Sequence, residues 1–260
     1  MSKTLIEWVR NPDGSQGYTI NPVKGLCPMA CPYCYARRMY KRFKWQEKIS
    51  WYPPAWDLVD TLKKPSRVFV GSTFELFHES LPYNWMEYNL LTAKKYPQHT
   101  FIFLTKQPQN LIKFSPFSDN CWVGVTATND SMFRIACANL AEVQAKMKYI
   151  SFEPLLDWSN YFSTCGLKED NSLGDNWMKH AGIKWVINGA MTGSLEDIKK
   201  MLMVYPQLTP MPWGKRWTLQ PKIEWVEEIE KACNKAGIPV FEKNNLSPLL
   251  DYNLRQEMPK

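Results

Sequence analysis

Short apolar runs alternate with longer stretches of helical periodicity along most of this chain. Tyr18–Asn21, Arg67–Gly71, Thr100–Thr105, Trp122–Thr126, Lys148–Phe152, Lys184–Asn188 and Pro239–Glu242 are rich in β-branched and aromatic residues and read as strands. Between them, Tyr35–Phe43, Asn84–Lys95, Pro108–Phe114, Met132–Lys146 and Ile223–Ala236 read as helices. The last repeats its apolar residues at helical spacing and stops at Gly237, a C-terminal signal. Such alternation predicts βαβ units and a parallel sheet. Six or seven strands suit an open doubly wound sheet or a full or partial (β/α) barrel. Both architectures place ligands at the carboxyl ends of the strands.

Two stretches break the rhythm. Residues 157–181 have weak periodicity and read as an insertion or lid. Tyr205–Gln220 is rich in Pro, Trp and basic residues and reads as a long ordered loop. With no internal repeat and no clear boundary, residues 1–260 are expected to form one domain.

Composition narrows the picture only slightly. Hydrophobic residues make up 45% and charged residues 22%, which is ordinary globular usage and argues against wholesale disorder. A net charge of +7 favours an anionic partner, nucleic acid among them, although many soluble proteins are mildly basic. Trp, Tyr and Phe number 12 each; such residues more often fill cores and pockets than stack on bases. No signal peptide is evident, and no run of about 18 apolar residues could span a membrane. A cytoplasmic protein is expected, in which clustered cysteines read as metal ligands or redox groups and not as disulfides.

The candidate chemistry lies in residues 25–38, GLCPMACPYCYARR. Cys27, Cys31 and Cys34 crowd one loop between the first strand and the first helix, while Cys121, Cys137, Cys165 and Cys233 are scattered singly. Thiolates are soft ligands that select zinc or iron–sulfur clusters. Structural zinc sites close with four ligands, and no fourth is near: the next Cys is Cys121 and the nearest His is His78. Three cysteines suit a [4Fe–4S] cluster with one iron left open. Three other readings compete: zinc completed by a distant Cys or His, buried reduced thiols, and a redox pair that leaves Cys27 unexplained.

The C-x3-C-x2-C spacing, with Tyr33 before the last cysteine, resembles the radical-SAM signature. INPVKGLCPMACPYCYARR looks like the cluster loop of spore-photoproduct-lyase-like proteins. IEW, NPVKG, GSTFELFHE, FLTKQPQNL, VGVTATND, ISFEPLL, WVINGAMTG and IPVFEKN resemble a phage- and prokaryote-associated radical-SAM-like family of unknown function. The resemblance implies a partial TIM-like barrel with the cluster at its mouth. It implies that Cys27, Cys31 and Cys34 hold the cluster and that S-adenosylmethionine binds the open iron. Reductive cleavage would then give a 5′-deoxyadenosyl radical that abstracts hydrogen from a substrate.

By the same resemblance, the backbone of Tyr33 lies by the adenine, and Ser72, Thr73 and Glu75 are candidates for the cofactor's ammonium. Lys106 could pair with its carboxylate. Thr126 and Thr128 end the fourth strand near the expected ribose. Glu153 ends the fifth strand, and Asn188 and Gly189 the sixth. Each also has a plain structural reading, as a helix cap, an ion pair or a solvated charge. The chain departs from the family where Gly-Gly-Glu-Ser-Gly is expected and Gly189-Ala190-Met191-Thr192-Gly193 stands. A second departure puts Thr128 where a glutamate is expected.

A reductant such as flavodoxin or ferredoxin is the implied electron donor. Nucleic acid is one candidate substrate, supported by the basic run RRMYKRFK over Arg37–Lys44 and by Lys215-Arg216. A small molecule or protein side chain is another. A zinc-stabilised binding protein without catalysis is the alternative from a different class. A lyase of the photoproduct type would also need a further cysteine as hydrogen donor. Cys121 starts a strand and so lies at the wrong end, and Cys137 sits in a helical pattern; of these only Cys165, in the lid segment, is placed to reach the site.

Overall fold

The computed structural model describes residues 2–158, 172–250 and 253–259. In chain order the elements are β1 Ser2–Lys3, β2 Tyr18–Ile20, β3 Val23–Lys24, α1 Tyr35–Phe43, β4 Ser50–Trp51, β5 Arg67–Val70, α2 Tyr83–Lys94, β6 Thr100–Thr105 and β7 Cys121–Thr126. They continue as α3 Asp130–Glu142, β8 Met147–Phe152, α4 Ser172–His180, β9 Ile183–Asn188, β10 Met191–Gly193, α5 Leu195–Leu202, β11 Thr209–Trp213, β12 Arg216–Gln220, α6 Ile223–Ala236 and β13 Val240–Glu242.

The main sheet runs β1-β2-β5-β6-β7-β8-β9-β13. β1 is antiparallel to β2, and the seven strands from β2 to β13 are parallel. Their spatial order is their order in sequence. A doubly wound sheet reverses direction at a switch point, whereas this sheet never does, so the topology is that of a partial (β/α) barrel. The strands read as near-continuous apolar runs because parallel strands are covered on both faces. Phe101, Ile102 and Phe103 on β6 are fully buried, as are Tyr149 and Ile150 on β8 and Trp185, Val186 and Ile187 on β9.

Two compact units share the chain. One comprises residues 1–124 with 143–147, and the other residues 125–142 with 148–260. In the first, β3 and β4 form a small antiparallel ribbon flanking the cysteine loop. In the second, β10, β12 and β11 form a separate three-stranded antiparallel sheet. The expected strands all form, each within one residue of its expected bounds, and α1 and α6 match theirs.

Four expectations are corrected. Tyr205–Gln220 is not a loop: most of it is the β11–β12 hairpin. Pro108–Phe114 is a 3-10 helix with its proline in the first turn. α3 starts at Asp130, because the Asn129 side chain caps the Met132 N–H at 2.8 Å, and it stops at Glu142. Of the supposed lid, residues 159–171 lie outside the described residues. Ser172–His180 is an ordinary crossover helix packed on α6 and α3 and leading into β9.

Candidate functional site

The cysteine loop is fixed at both ends before any metal is considered. At its start, Asn21 Oδ1 accepts hydrogen bonds from Thr73 N (3.1 Å), Thr73 Oγ1 (3.0 Å) and Ser72 Oγ (3.3 Å). One amide oxygen thus ties the exit of β2 to the exit of β5. Gly25 follows with φ +111°; a Cβ there would lie 2.7 Å from Ile49 Cα and from the Lys48 carbonyl oxygen. Only glycine allows this backbone approach. The Gly25 N–H donates to the hydroxyl of buried Tyr40 at 2.7 Å, and the Leu26 N–H to the Glu47 carbonyl at 2.9 Å.

Within the loop, Ala30 takes a left-handed φ of +50°, and the Cys34 N–H reaches the Cys31 carbonyl at 3.1 Å. Arg37 on α1 donates through Nη2 to the Cys27 carbonyl at 2.7 Å. Cys34 is the N-cap of α1 but makes no side-chain cap bond, so its thiol sits at the positive end of the helix dipole. Tyr33, half-buried, precedes it.

All three loop thiols are free and half-buried. Burial pushes the Cys27 thiol up, and nearby Glu75 and Cys31 add to this; the main chain of Glu75 and Met29 opposes it in part. The other described cysteines differ in kind. Burial alone raises Cys137, and it pushes Cys121 to about 11 and Cys233 to about 12. Cys121 opens β7, as expected, and Cys165 lies outside the described residues.

The donor set can be tested against a metal. Among the described residues, no group of three or more Cys, His, Asp or Glu side chains is placed to hold one ion. A zinc ion would require its thiolates drawn to about 2.3 Å from a single point. A [4Fe–4S] cluster takes each thiolate on a different iron, so its sulfurs stay apart. Arg37 Nε is buried beside this loop with no partner, an unspent donor for a negatively charged group. Soft thiols at this spacing, with the orphaned donor beside them, fit a negatively charged iron–sulfur cluster.

Glu75 is the second fixed point. It is 6% exposed, and its carboxylate accepts from Thr105 Oγ1 (2.6 Å), the Lys106 N–H (2.7 Å) and the Phe77 N–H (3.2 Å). It therefore joins the exits of β5 and β6, and one acceptor direction remains for an outside donor. Ser72 and Thr73 spend their hydroxyls on Asn21. Lys106 contributes its main chain to Glu75. Beyond it, the Gln107 side chain donates to Met29 Sδ at 3.3 Å and accepts from Asn110 Nδ2 at 2.8 Å. Sequence reasoning missed Asn21, Thr105, Gln107 and Asn110. For Asn21, Thr105 and Gln107 the signal was available, since each is a polar residue at or just beyond a strand's carboxyl end; Asn110 lies within the 3-10 helix that follows β6.

In the second unit, Thr126 is 1% exposed at the end of β7, and Thr128 donates to Met132 Sδ at 3.2 Å. Glu153, beyond β8, forms an ion pair with Lys243, beyond β13. Gly189, beyond the intervening β9, lies beneath this pair: a Cβ there would meet Lys243 Cδ at 3.1 Å and Glu153 Cγ at 3.2 Å. Lys243 was not singled out in the sequence. The Asn188 amide is 1% exposed, and neither its nitrogen nor its oxygen has a hydrogen-bond partner.

The family model described as "Protein of unknown function (DUF5131)" matches residues 3–202. The chain belongs to the DUF5131 family. The match covers the cysteine loop and the strand ends through Gly193; Lys243 and the IPVFEKN segment lie beyond it. No curated protein matches this DUF5131 chain by sequence. Among solved structures, it is similar to spore photoproduct lyase complexed with dinucleoside spore photoproduct, at TM-score 0.59 and 10% identity over 89% of this chain and 78% of that one. A mutant of that lyase with bound AdoMet and dinucleoside spore photoproduct matches at TM-score 0.58 and 9% identity, over 89% and 76%. Another mutant matches over 94% and 80%, at TM-score 0.59 and 10% identity. At such identities the likeness establishes a shared fold. Among the described residues no helix is long and apolar enough to cross a membrane.

Proposed function

We propose that this DUF5131 protein is a radical SAM enzyme, with Cys27, Cys31 and Cys34 as ligands of a [4Fe–4S] cluster. The observation that carries the reading is the placement of three free, half-buried thiols on the loop after the first parallel strand. The likeness to a lyase structure that binds AdoMet supports it.

When bound, the cluster and S-adenosylmethionine supply a 5′-deoxyadenosyl radical that takes a hydrogen atom from substrate. The chain's own residues prepare the place. Asn21, Gly25 and Tyr40 hold the loop open at fixed points, so little ordering remains when the cluster binds. Burial disfavours the Cys27 thiolate that metal binding requires, and main-chain N–H groups of Glu75 and Met29 offset part of that cost. Glu75 keeps one acceptor direction for an ammonium, and Ser72 and Thr73 position the turn that carries it. A small electron-transfer protein of the flavodoxin or ferredoxin kind would deliver the electron.

The test is anaerobic purification and reconstitution with iron and sulfide, then addition of dithionite and S-adenosylmethionine. We expect broad absorbance near 400 nm, about four irons per chain, and 5′-deoxyadenosine from the wild type but not from Cys31→Ala. A colourless protein with one zinc per chain and no nucleoside would replace this reading with a structural zinc site.

A further inference from the structure

We propose that the exposed aromatic and cationic surface formed by the end of α1 and the segment after it is a binding platform for single-stranded nucleic acid, with Phe43 and Trp45 as its stacking rings. Phe43 is 52% exposed and Trp45 42%. Their rings stack with centroids 5.5 Å apart and planes 24° from parallel. Large rings scattered singly on a surface are ordinary. A stacked pair left open to solvent and surrounded by cations needs another account.

The pair is held rigidly. α1 ends because Lys44 adopts the left-handed conformation, with φ 50° and ψ 41°. That turn folds the chain back, so the Trp45 N–H reaches the Tyr40 carbonyl at 3.2 Å. The indole then packs edge-on against buried Tyr40, at 5.2 Å between centroids. Tyr40 itself is anchored through its hydroxyl to Gly25. Aromatic rings with few free torsions bind at low entropic cost, and pinning lowers that cost further.

Charge supplies the second half of the argument. From Arg38 to Lys48 there are five cations, Arg38, Lys41, Arg42, Lys44 and Lys48, against one carboxylate, Glu47. Every residue from Lys41 to Lys48 is exposed. The Arg42 guanidinium lies 5.2 Å from the Phe43 ring centroid. On the adjoining ribbon, Lys24 Nζ sits 3.3 Å over the ring of Tyr52, which is 41% exposed. Rings interleaved with cations suit a strand whose bases are unstacked: phosphates meet the cations, and bases meet the ring faces. A duplex keeps its bases stacked inside and cannot use the rings. This surface lies on the chain that leaves the cysteine loop, yet the inference does not depend on radical chemistry.

The test measures fluorescence anisotropy of a labelled oligothymidylate of about 12 nucleotides, within the usual range of site sizes, against the full-length protein at several salt concentrations. Phe43→Ala and Trp45→Ala should each weaken binding by about 5- to 150-fold, the range for loss of one stacked base. Trp45→Phe, which keeps a ring, should recover most of the loss. Arg42→Gln and Lys44→Gln should each flatten the dependence of log K on log salt by about 0.7. Far-UV circular dichroism would confirm that each variant is folded. Cys31→Ala should bind like the wild type, so failure of the cluster reading would not mimic failure here. Equal binding by wild type and both alanine variants would overturn the proposal. So would preference for a duplex competitor, or capture by phosphatidylserine vesicles without retention of the oligonucleotide.

Discussion

Two carboxylates at strand ends of this chain, Glu75 and Glu153, are used in opposite ways. Beyond β2, β5 and β6, acceptors are spent inside the protein. Asn21 Oδ1 takes three hydrogen bonds and the Glu75 carboxylate another three, each joining neighbouring strand exits. Beyond β9 and β13 the Asn245 amide is spent in the same way, accepting from the Ala190 N–H at 3.1 Å and donating to the Ala190 carbonyl at 2.7 Å. Glu153 and Lys243, however, form an ion pair over Gly189 in which neither makes a second side-chain hydrogen bond among the described residues. The first arrangement is a scaffold: it fixes backbone so that a loop of three thiols can be held in shape. The second is a pair of charges whose remaining capacity is unspent. The family motif residues therefore divide by task, and chemical type alone does not reveal which task a carboxylate performs.

The largest expected effect comes from removing the scaffold's carboxylate. Glu75→Ala would leave two main-chain N–H groups and the Thr105 hydroxyl without an acceptor in a buried place. We expect a loss of roughly 3–5 kcal/mol, read as a lowered urea midpoint. A loss under about 1 kcal/mol would show that these bonds are replaced by water at no cost, and the contrast with Glu153 would collapse.

Next in size is Gly25→Ala. The atoms a Cβ would meet are main-chain atoms of Lys48 and Ile49, which cannot swing aside, and the positive φ adds strain. A cost of about 2–3 kcal/mol is expected. The more telling readout is iron per chain after reconstitution, which should fall well below the wild type while far-UV circular dichroism is retained. Full loading would mean that the loop is shaped by its cluster and not by Gly25.

The parallel strands were legible because each is a compact apolar run ended by a polar, Gly or Pro signal, and the cysteine loop because three thiols in eight residues are hard to explain otherwise. The β11–β12 hairpin was not legible because Pro210 and Pro212 argue against a strand. They are tolerated because β11 is the edge of its small sheet, and prolines two residues apart both place their missing N–H on the outer side. The scaffold was not legible either. Asn21 meets Thr73 across 52 positions and Glu75 meets Thr105 across 30, and no local pattern encodes such pairs. Glu153 was noticed for its place at a strand end, but its partner Lys243 stands 90 positions away, in the IPVFEKN segment, where nothing local marks it as that partner. Sequence pattern reports what a residue's neighbours in the chain require; the use of a carboxylate is settled by residues that only the fold brings near.

The smallest expected effect tests the pair of Glu153 and Lys243 directly. The Lys243 side chain is 15% exposed and that of Glu153 26%, so the pair is neither screened like a surface bridge nor sealed like a buried one. A double-mutant cycle of Glu153→Gln and Lys243→Met should give a coupling energy of about 1 kcal/mol, measured by urea denaturation. Gly189→Ala adds no charge and removes none, but it presses a methyl group against both side chains at 3.1–3.2 Å. If the pair only bridges β8 and β13, Gly189→Ala should reduce the coupling measured in its background, with little further consequence. If instead the unspent capacity is used by a substrate, the same substitution should raise KM for that substrate while leaving the yield of 5′-deoxyadenosine without substrate unchanged. A coupling energy of zero, with Gly189→Ala silent in both assays, would leave Glu153 and Lys243 as an incidental surface contact and confine function to the cysteine-bearing strand ends.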